Sequence, residues 1–180
     1  MVKHQVGVAE GQMNYSALKK CDIANGIGFR LSLWCSGCSR RCKGCFNPEA
    51  QDPNFGKEFD EVARHKVMKE LADEHCSGLS LLGGEPLYIS NRSTMIELCR
   101  EVKQKFPEKD IWLWSGFLFE DILKDETMKP ILTYIDVLVD GEFVISKKDL
   151  STPFRGSTNQ RLLDVADWRR TGELHELKLK

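Results

Sequence analysis

Residues 29–46 read FRLSLWCSGCSRRCKGCF, a strand-like segment that runs into a cluster of four cysteines. Every second residue from Phe29 to Cys35 is apolar, which predicts a β-strand with one buried face. The next three cysteines, Cys38, Cys42 and Cys45, have the spacing C-x3-C-x2-C. A four-iron cluster is usually held by four cysteines, so a cluster held by three has one iron free to bind a substrate or cofactor.

Cys35 is set apart from the other three cysteines by its place on the predicted strand. It falls on the same face as the apolar residues, and a buried free cysteine behaves as a small hydrophobic residue. We therefore predict that Cys35 belongs to the core and that Cys38, Cys42 and Cys45 are the metal ligands.

Other uses of these cysteines remain open from the residues alone. Two C-x2-C pairs could bind zinc, although zinc modules usually separate the pairs by about 12 to 20 residues and the intervening segment here is much shorter. Cys42 and Cys45 could form a thioredoxin-like redox pair, although two further cysteines crowd them. All four could ligate one cluster in a non-enzymatic electron carrier.

The composition is that of an ordinary globular protein. The 180 residues are 41% hydrophobic and 29% charged, which predicts one domain. A net charge of −1 argues against a nucleic-acid partner recruited by overall charge. We also expect no membrane partner, because no apolar run approaches the roughly 20 residues of a span. Free thiols without a secretion signal predict a cytoplasmic location.

Strand and helix spacings alternate along the chain. We predict strands at 29–35, 78–82, 111–114, 135–140 and 160–165, with helices at 59–71, 95–106 and 118–125. Thr94 and Glu97 would form a capping box on the second helix. This alternation predicts an α/β fold with a parallel sheet. Residues 1–20 show no clear period and are interpreted as an extension, and we expect the C-terminal tail to fray.

Four predicted loops follow strands, so they should meet at the carboxyl edge of the sheet, where α/β proteins bind ligands. They are the cysteine loop, Gly-Gly-Glu-Pro at 83–86, Ser-Gly at 115–116 and Asp-Gly at 140–141. The two glycines let the backbone approach a ligand, and Glu85 could accept a hydrogen bond from an ammonium group. Residues 154–161, FRGSTNQR, could bind an anion or form a polar surface turn.

Taken together, these motifs resemble a known family. C-x3-C-x2-C followed by Phe46, with Gly-Gly-Glu-Pro after the next strand, is similar to the radical S-adenosylmethionine superfamily. Four more segments resemble its glycyl-radical activating enzymes of anaerobic ribonucleotide reductase: DIANG (22–26), KDIWLWSG (109–116), VLVDGEF (137–143) and RGSTNQR (155–161). The resemblance covers about residues 21–165. It departs in an N-terminal extension, a longer C-terminal tail and Phe117, where tyrosine is common.

The resemblance implies a fold and a set of cofactors. The fold would be a partial, open β/α barrel with mostly parallel strands, formed by residues 21–165 between an extension (1–20) and a tail (166–180). Cys38, Cys42 and Cys45 would hold one [4Fe–4S] cluster, whose open iron would bind S-adenosylmethionine. By the family match, Gly44, Cys45 and Phe46 would lie on its adenine side, and Gly84 with Glu85 against its methionyl ammonium.

The resemblance also implies a reaction. One electron would cleave S-adenosylmethionine to methionine and a 5′-deoxyadenosyl radical, which would take a hydrogen atom from a glycine in the large reductase subunit. The enzyme would thus be an oxidoreductase whose substrate is the partner's glycine loop, with reduced flavodoxin or a similar protein as electron donor. The protein supplies orientation, electrostatics and water exclusion. An activator of another glycyl-radical enzyme and a small-molecule radical enzyme are the alternatives within this chemistry.

Overall fold

A mixed sheet of seven strands organises residues 12–179, the part of the chain that this computed structural model describes. Four α-helices accompany the sheet over these residues. The strands are β1 (Asn14–Asp22), β2 (Phe29–Cys35), β3 (Lys57–Glu58), β4 (Cys76–Gly83), β5 (Asp110–Ser115), β6 (Val137–Asp140) and β7 (Arg161–Asp164). The helices are α1 (Glu61–Leu71), α2 (Arg92–Lys105), α3 (Phe119–Lys124) and α4 (Val165–Thr171).

The strand order is β3-β1-β2-β4-β5-β6-β7. The middle strands β2, β4, β5 and β6 are parallel, and β1, β3 and β7 add antiparallel edges. Within residues 12–179 the two outer strands do not pair with each other, so the sheet is open. The α/β class and the parallel centre predicted from the sequence are confirmed. The antiparallel edges are not predicted by the alternation of strands and helices.

One face of the sheet packs against the helices and forms the main core. Leu31, Leu33 and Cys35 on β2 share this core with Leu79 and Leu81 on β4, and all five are buried. Their alternation along each strand is the reason why β2 was predictable to the residue. The expected placement of Cys35 in the core is therefore confirmed.

The opposite face carries polar and aromatic side chains. Arg30 is fully buried there, and its Nη1 lies 2.6 Å from Asp110 Oδ1 while its Nε donates to Ser80 Oγ at 2.7 Å. Its guanidinium carbon lies 5.3 Å from the ring centre of Trp112. Ser80 Oγ in turn donates to the Asn25 carbonyl at 2.6 Å. This network satisfies the buried charge and fixes the loop before β2 against the sheet.

The ends of the described chain are more regular than predicted. Strand β1 begins at Asn14, inside the expected extension, and pairs with β2 through a register containing two irregularities, which hides its period. The C-terminal tail, expected to fray, forms α4 and then pairs with β7, where the Leu177 N–H donates to the Leu162 carbonyl at 2.8 Å. Residues 1–11 and 180 lie outside the described residues.

The predicted capping box on α2 is wrong. The helix begins at Arg92, with Asn91 in the N-cap position, so Thr94 lies inside the first turn. The Asn91 side chain does not cap the helix. Its amide instead donates to the carbonyls of Ser36 at 2.8 Å and Glu85 at 3.0 Å, which joins two loops. A residue that serves a distant loop in this way gives no local capping signal.

Candidate functional site

A cavity of about 510 Å³ opens at the carboxyl ends of the parallel strands. All seven predicted site residues line it: Cys38, Cys42, Gly44, Cys45, Phe46, Gly84 and Glu85. The end of β5 contributes Ser115, and the loops after β5 and β6 contribute Gly116, Gly141, Glu142 and Phe143. The loop before β7 contributes Phe154, Arg155, Gly156 and Gln160. The four loops that the sequence placed at one sheet edge therefore do surround a single space.

Backbone hydrogen bonds fasten the start of the cysteine loop to the Gly-Gly-Glu-Pro loop. The Gly84 N–H donates to the Cys35 carbonyl and the Glu85 N–H to the Gly37 carbonyl, both at 2.8 Å. At Gly84, a Cβ atom would lie 2.6 Å from the carbonyl oxygens of Gly37 and Ala50, so no larger residue fits. The glycine allows the two loops to touch through their backbones.

The four cysteines of residues 29–46 fall into two environments. Cys35 is fully buried, and this burial raises the pKa of its thiol far above the ordinary value. Cys38, Cys42 and Cys45 are partly exposed and line the cavity. Burial raises the pKa of Cys38 and Cys42, while backbone N–H groups oppose it: Arg40 and Arg41 at Cys38, and Phe143 at Cys42.

Glu85 is held in place by three internal hydrogen bonds. Its carboxylate is buried; Oε1 accepts from the Leu87 N–H and the Ser115 hydroxyl, each at 2.9 Å, and Oε2 accepts from the Gly116 N–H at 2.7 Å. Burial raises its pKa, and these hydrogen bonds oppose that shift. Glu85 therefore joins the ends of β4 and β5 as well as lining the cavity.

Residues 154–161 chiefly hold the loop after β6 in place through hydrogen bonds. Gln160 Nε2 donates to the Gly141 carbonyl at 2.9 Å, and its Oε1 accepts from the Gly156 N–H at 2.8 Å. Asn159 Nδ2 donates to the Glu142 carbonyl at 2.9 Å. Most of the polar groups in this motif thus bond within the protein, which favours the turn interpretation over the anion site for them.

Arg155 is the exception in that motif. Its Nε is buried with no hydrogen-bond partner among residues 12–179, and its Nη1 reaches only the Gln160 carbonyl, at 3.4 Å. Since Arg155 lines the cavity, guanidinium N–H groups that make no hydrogen bond within the protein are available to an anion bound there.

Three aromatic residues, Phe46, Trp114 and Phe154, also line the cavity. Phe46 is 77% exposed and meets Trp34 edge to face, with 5.8 Å between ring centres. Across the opening, Trp114 Nε1 donates to the Phe154 carbonyl at 2.8 Å. The exposed face of Phe46 is available for stacking against a flat ligand.

Three similar proteins carry one name. A family model described as a 4Fe-4S single cluster domain matches residues 24–163. The anaerobic ribonucleoside-triphosphate reductase-activating protein of Enterobacteria phage T4 is 41% identical over 157 residues, which cover 86% of this chain and 96% of that protein. Its namesakes in Haemophilus influenzae and Escherichia coli K12 are 39% and 36% identical over 150 residues, each covering 82% of this chain and 96% of the relative.

The chain belongs to the anaerobic ribonucleoside-triphosphate reductase-activating protein family. Membership gives it a 4Fe-4S cluster domain and the character of an iron–sulfur activating enzyme. The family resemblance stated from the sequence motifs is confirmed. No helix among the described residues is long and apolar enough to cross a membrane.

The three thiols at the cavity are soft donors of the kind that iron–sulfur clusters use. Among residues 12–179, no three Cys, His, Asp or Glu side chains stand close enough together to share one metal ion. In a four-iron cluster each thiolate bonds a different iron, so its ligands need not share an ion. Three thiols around one cavity fit that requirement.

Sequence reasoning missed an ion pair on the cavity wall. Arg40 and Glu142 both line the cavity and form an ion pair, with Arg40 Nη1 2.6 Å from Glu142 Oε1. They are 102 positions apart, so local spacing gives no sign of their contact. A signal that could have found them is the placement of Glu142 directly after the Asp-Gly loop and of Arg40 between two predicted ligands.

Proposed function

We propose that this protein activates an anaerobic ribonucleoside-triphosphate reductase by generating a glycyl radical on its large subunit. The observation that carries the proposal is the convergence of the cysteine loop and the Gly-Gly-Glu-Pro loop on one cavity. The similarity to activating proteins over 96% of their length supports it. The open sheet with parallel central strands would be a partial radical S-adenosylmethionine barrel formed by residues 21–165, with residues 1–20 as extension and 166–180 as tail.

Cys38, Cys42 and Cys45 would hold the cluster, and Cys35 would not. The partial exposure of the three, compared with the complete burial of Cys35, supports this assignment. Backbone N–H groups directed at the Cys38 and Cys42 sulfurs would stabilise the charge of bound thiolates. When bound, the cluster supplies the single electron that cleaves S-adenosylmethionine.

S-adenosylmethionine would span the cavity between its two rims. Gly44, Cys45 and Phe46 would contact the adenine side, where the exposed Phe46 ring offers a stacking surface. Gly84 and Glu85 would face the methionyl ammonium. The Glu85 carboxylate, fixed by three donors, would hold its negative charge in one position, which reduces the reorganisation needed on binding.

The guanidinium group of Arg155 would pair with the methionyl carboxylate through N–H groups that have no partner within the described residues. The ammonium and carboxylate groups would thus meet opposite charges from separate loops. The partner would be the large reductase subunit, whose glycine loop enters the cavity, and reduced flavodoxin or a similar protein would donate the electron.

The test is electron paramagnetic resonance of the anoxically reconstituted, reduced protein with and without S-adenosylmethionine. We expect a cluster signal that changes on addition of S-adenosylmethionine, and then a glycyl radical when the large reductase subunit is supplied. A cluster signal indifferent to S-adenosylmethionine would establish the electron-carrier alternative. A signal that responds, followed by no radical on the reductase, would indicate another radical substrate.

A further inference from the structure

Arg40, in the middle of the cysteine loop, contacts the loops after β5 and β6 on the opposite wall of the cavity. Its guanidinium carbon lies 4.1 Å from the ring centre of Phe117, after β5, and its Nη1 lies 2.6 Å from Glu142 Oε1, after β6. At Gly116, a Cβ atom would lie 3.0 Å from Arg40 Cγ. Three loops therefore meet at this one side chain.

The ion pair of Arg40 and Glu142 shares the cavity wall with the three thiols. Arg40 lies two residues after Cys38 and two residues before Cys42, and Glu142 forms an ion pair with it. Both charged side chains line the same cavity as the Cys38, Cys42 and Cys45 thiols. Charges on the wall of this cavity act on any metal group that the thiols hold there.

The ion pair of Arg40 and Glu142 is too exposed to contribute much to the stability of the fold. The Arg40 side chain is 24% exposed and that of Glu142 is 47% exposed, and ion pairs as exposed as this one contribute little to folding stability. Arg40 Nε is nevertheless buried with no hydrogen-bond partner among the described residues. The pair thus places two opposite charges side by side on the cavity wall, where each opposes the field of the other.

We infer that Arg40 and Glu142 set the reduction potential of the cluster, acting with opposite signs; this inference rests on the proposed function. Reduction adds one electron and so one negative charge to the cluster. The Arg40 cation favours the reduced state, and the Glu142 carboxylate favours the oxidised state. Removing either side chain exposes the uncancelled charge of the other.

The test is a potentiometric titration of the reconstituted cluster under anoxic conditions, with dithionite and mediators and without S-adenosylmethionine. At the wild-type midpoint, the ratio of reduced to oxidised cluster should fall about threefold in Arg40→Gln and rise about threefold in Glu142→Gln. A threefold change corresponds to about 28 mV for one electron. Arg41→Gln is the matched control, because Arg41 is an exposed cation of the same loop, and its shift should be smaller.

Opposite shifts separate this role from a structural one. A loop that merely loosens would change the potential in the same direction in both variants, and that result would overturn the inference, as would unchanged potentials. Arg40→Lys keeps the charge and should stay near the wild-type midpoint; a shift as large as that of Arg40→Gln would also overturn it. If the wild-type protein forms no cluster, the proposed function fails before this comparison begins.

Discussion

Cys35 and its three neighbouring cysteines allow a test at single residues. Cys35→Ala should keep the full iron content and lose about 1 kcal/mol of unfolding free energy, because removing a buried sulfur leaves a small cavity. Cys38→Ala, Cys42→Ala and Cys45→Ala should each lose the cluster at little cost in stability. Iron analysis and denaturant unfolding check both effects. Loss of iron in Cys35→Ala would mean that four cysteines ligate the cluster.

Arg155 can be tested with a matched pair of ligands. Arg155→Gln should weaken the binding of S-adenosylmethionine about 10- to 150-fold, since a charge-assisted hydrogen bond to the carboxylate contributes roughly 1.5–3 kcal/mol. Decarboxylated S-adenosylmethionine should bind the variant and the wild-type protein equally. Anoxic calorimetry measures both ligands, and Lys148→Gln controls for an exposed cation on the same cavity. An equal loss for the two ligands would contradict the carboxylate assignment.

Single-residue predictions from the sequence succeeded where the signal was local. The alternation that ends at Cys35 is contained in one strand, and it separates this cysteine from the three that line the cavity. The hydrogen bonds of Glu85 to Ser115 and Gly116 join residues about 30 positions apart. No spacing pattern encodes such a contact, so the sequence predicted a ligand contact for Glu85 and missed its role between strands.

At the scale of elements, Arg161 joins β7 to β6 and to α3. Its Nε donates to Asp140 Oδ1 at 2.9 Å, and its Nη1 donates to Glu120 Oε1 at 3.0 Å. Asp140 is fully buried, so Arg161→Gln should cost about 3 kcal/mol of unfolding free energy by leaving that carboxylate without its cation. The exposed partner differs: Glu120→Gln should cost less than about 1 kcal/mol. Chemical denaturation of the two variants checks this difference.

The ion pair of Arg161 with Glu120 predicts a pH dependence of the unfolding free energy. The hydrogen bond from Arg161 lowers the pKa of Glu120, so its contribution to stability is present above the ordinary carboxyl pKa. It should be lost as the pH falls through the lowered value of the folded state. In Arg161→Gln the contribution of Glu120 should disappear from the acid limb of the unfolding curve. An acid limb identical to that of the wild-type protein would contradict the proposed coupling.

Elements were predictable where one face is continuously buried. Helix α1 follows from Ala63, Val67 and Leu71 on one face, with Asp60 Oδ1 capping the Ala63 N–H at 2.8 Å. Strand β1 has mostly half-buried residues and an irregular register, so it lacks a clean period. Strand direction depends on connections between distant elements, and for this reason the antiparallel edges could not be predicted from local patterns.

Over the whole molecule, the three predicted cluster ligands lie outside the main hydrophobic core. The main core forms between the helices and one face of the sheet, and of the cysteines at 35, 38, 42 and 45 it includes only Cys35. The other three line a cavity at the carboxyl edge. Small zinc domains, by contrast, unfold without their metal because the metal replaces a core. The metal site of this protein is therefore expected to depend on the fold, whereas the fold does not depend on the metal.

Removal of the cluster tests that separation. Protein treated with chelator should keep its far-ultraviolet circular dichroism and a cooperative thermal transition, because the buried core contacts do not involve the three ligands. The near-ultraviolet signal of Trp112, buried on the opposite sheet face, should persist as well. The triple alanine variant at 38, 42 and 45 should behave like the chelated protein. A broad transition with binding of a hydrophobic dye in both samples would instead mean that the cluster is required for folding.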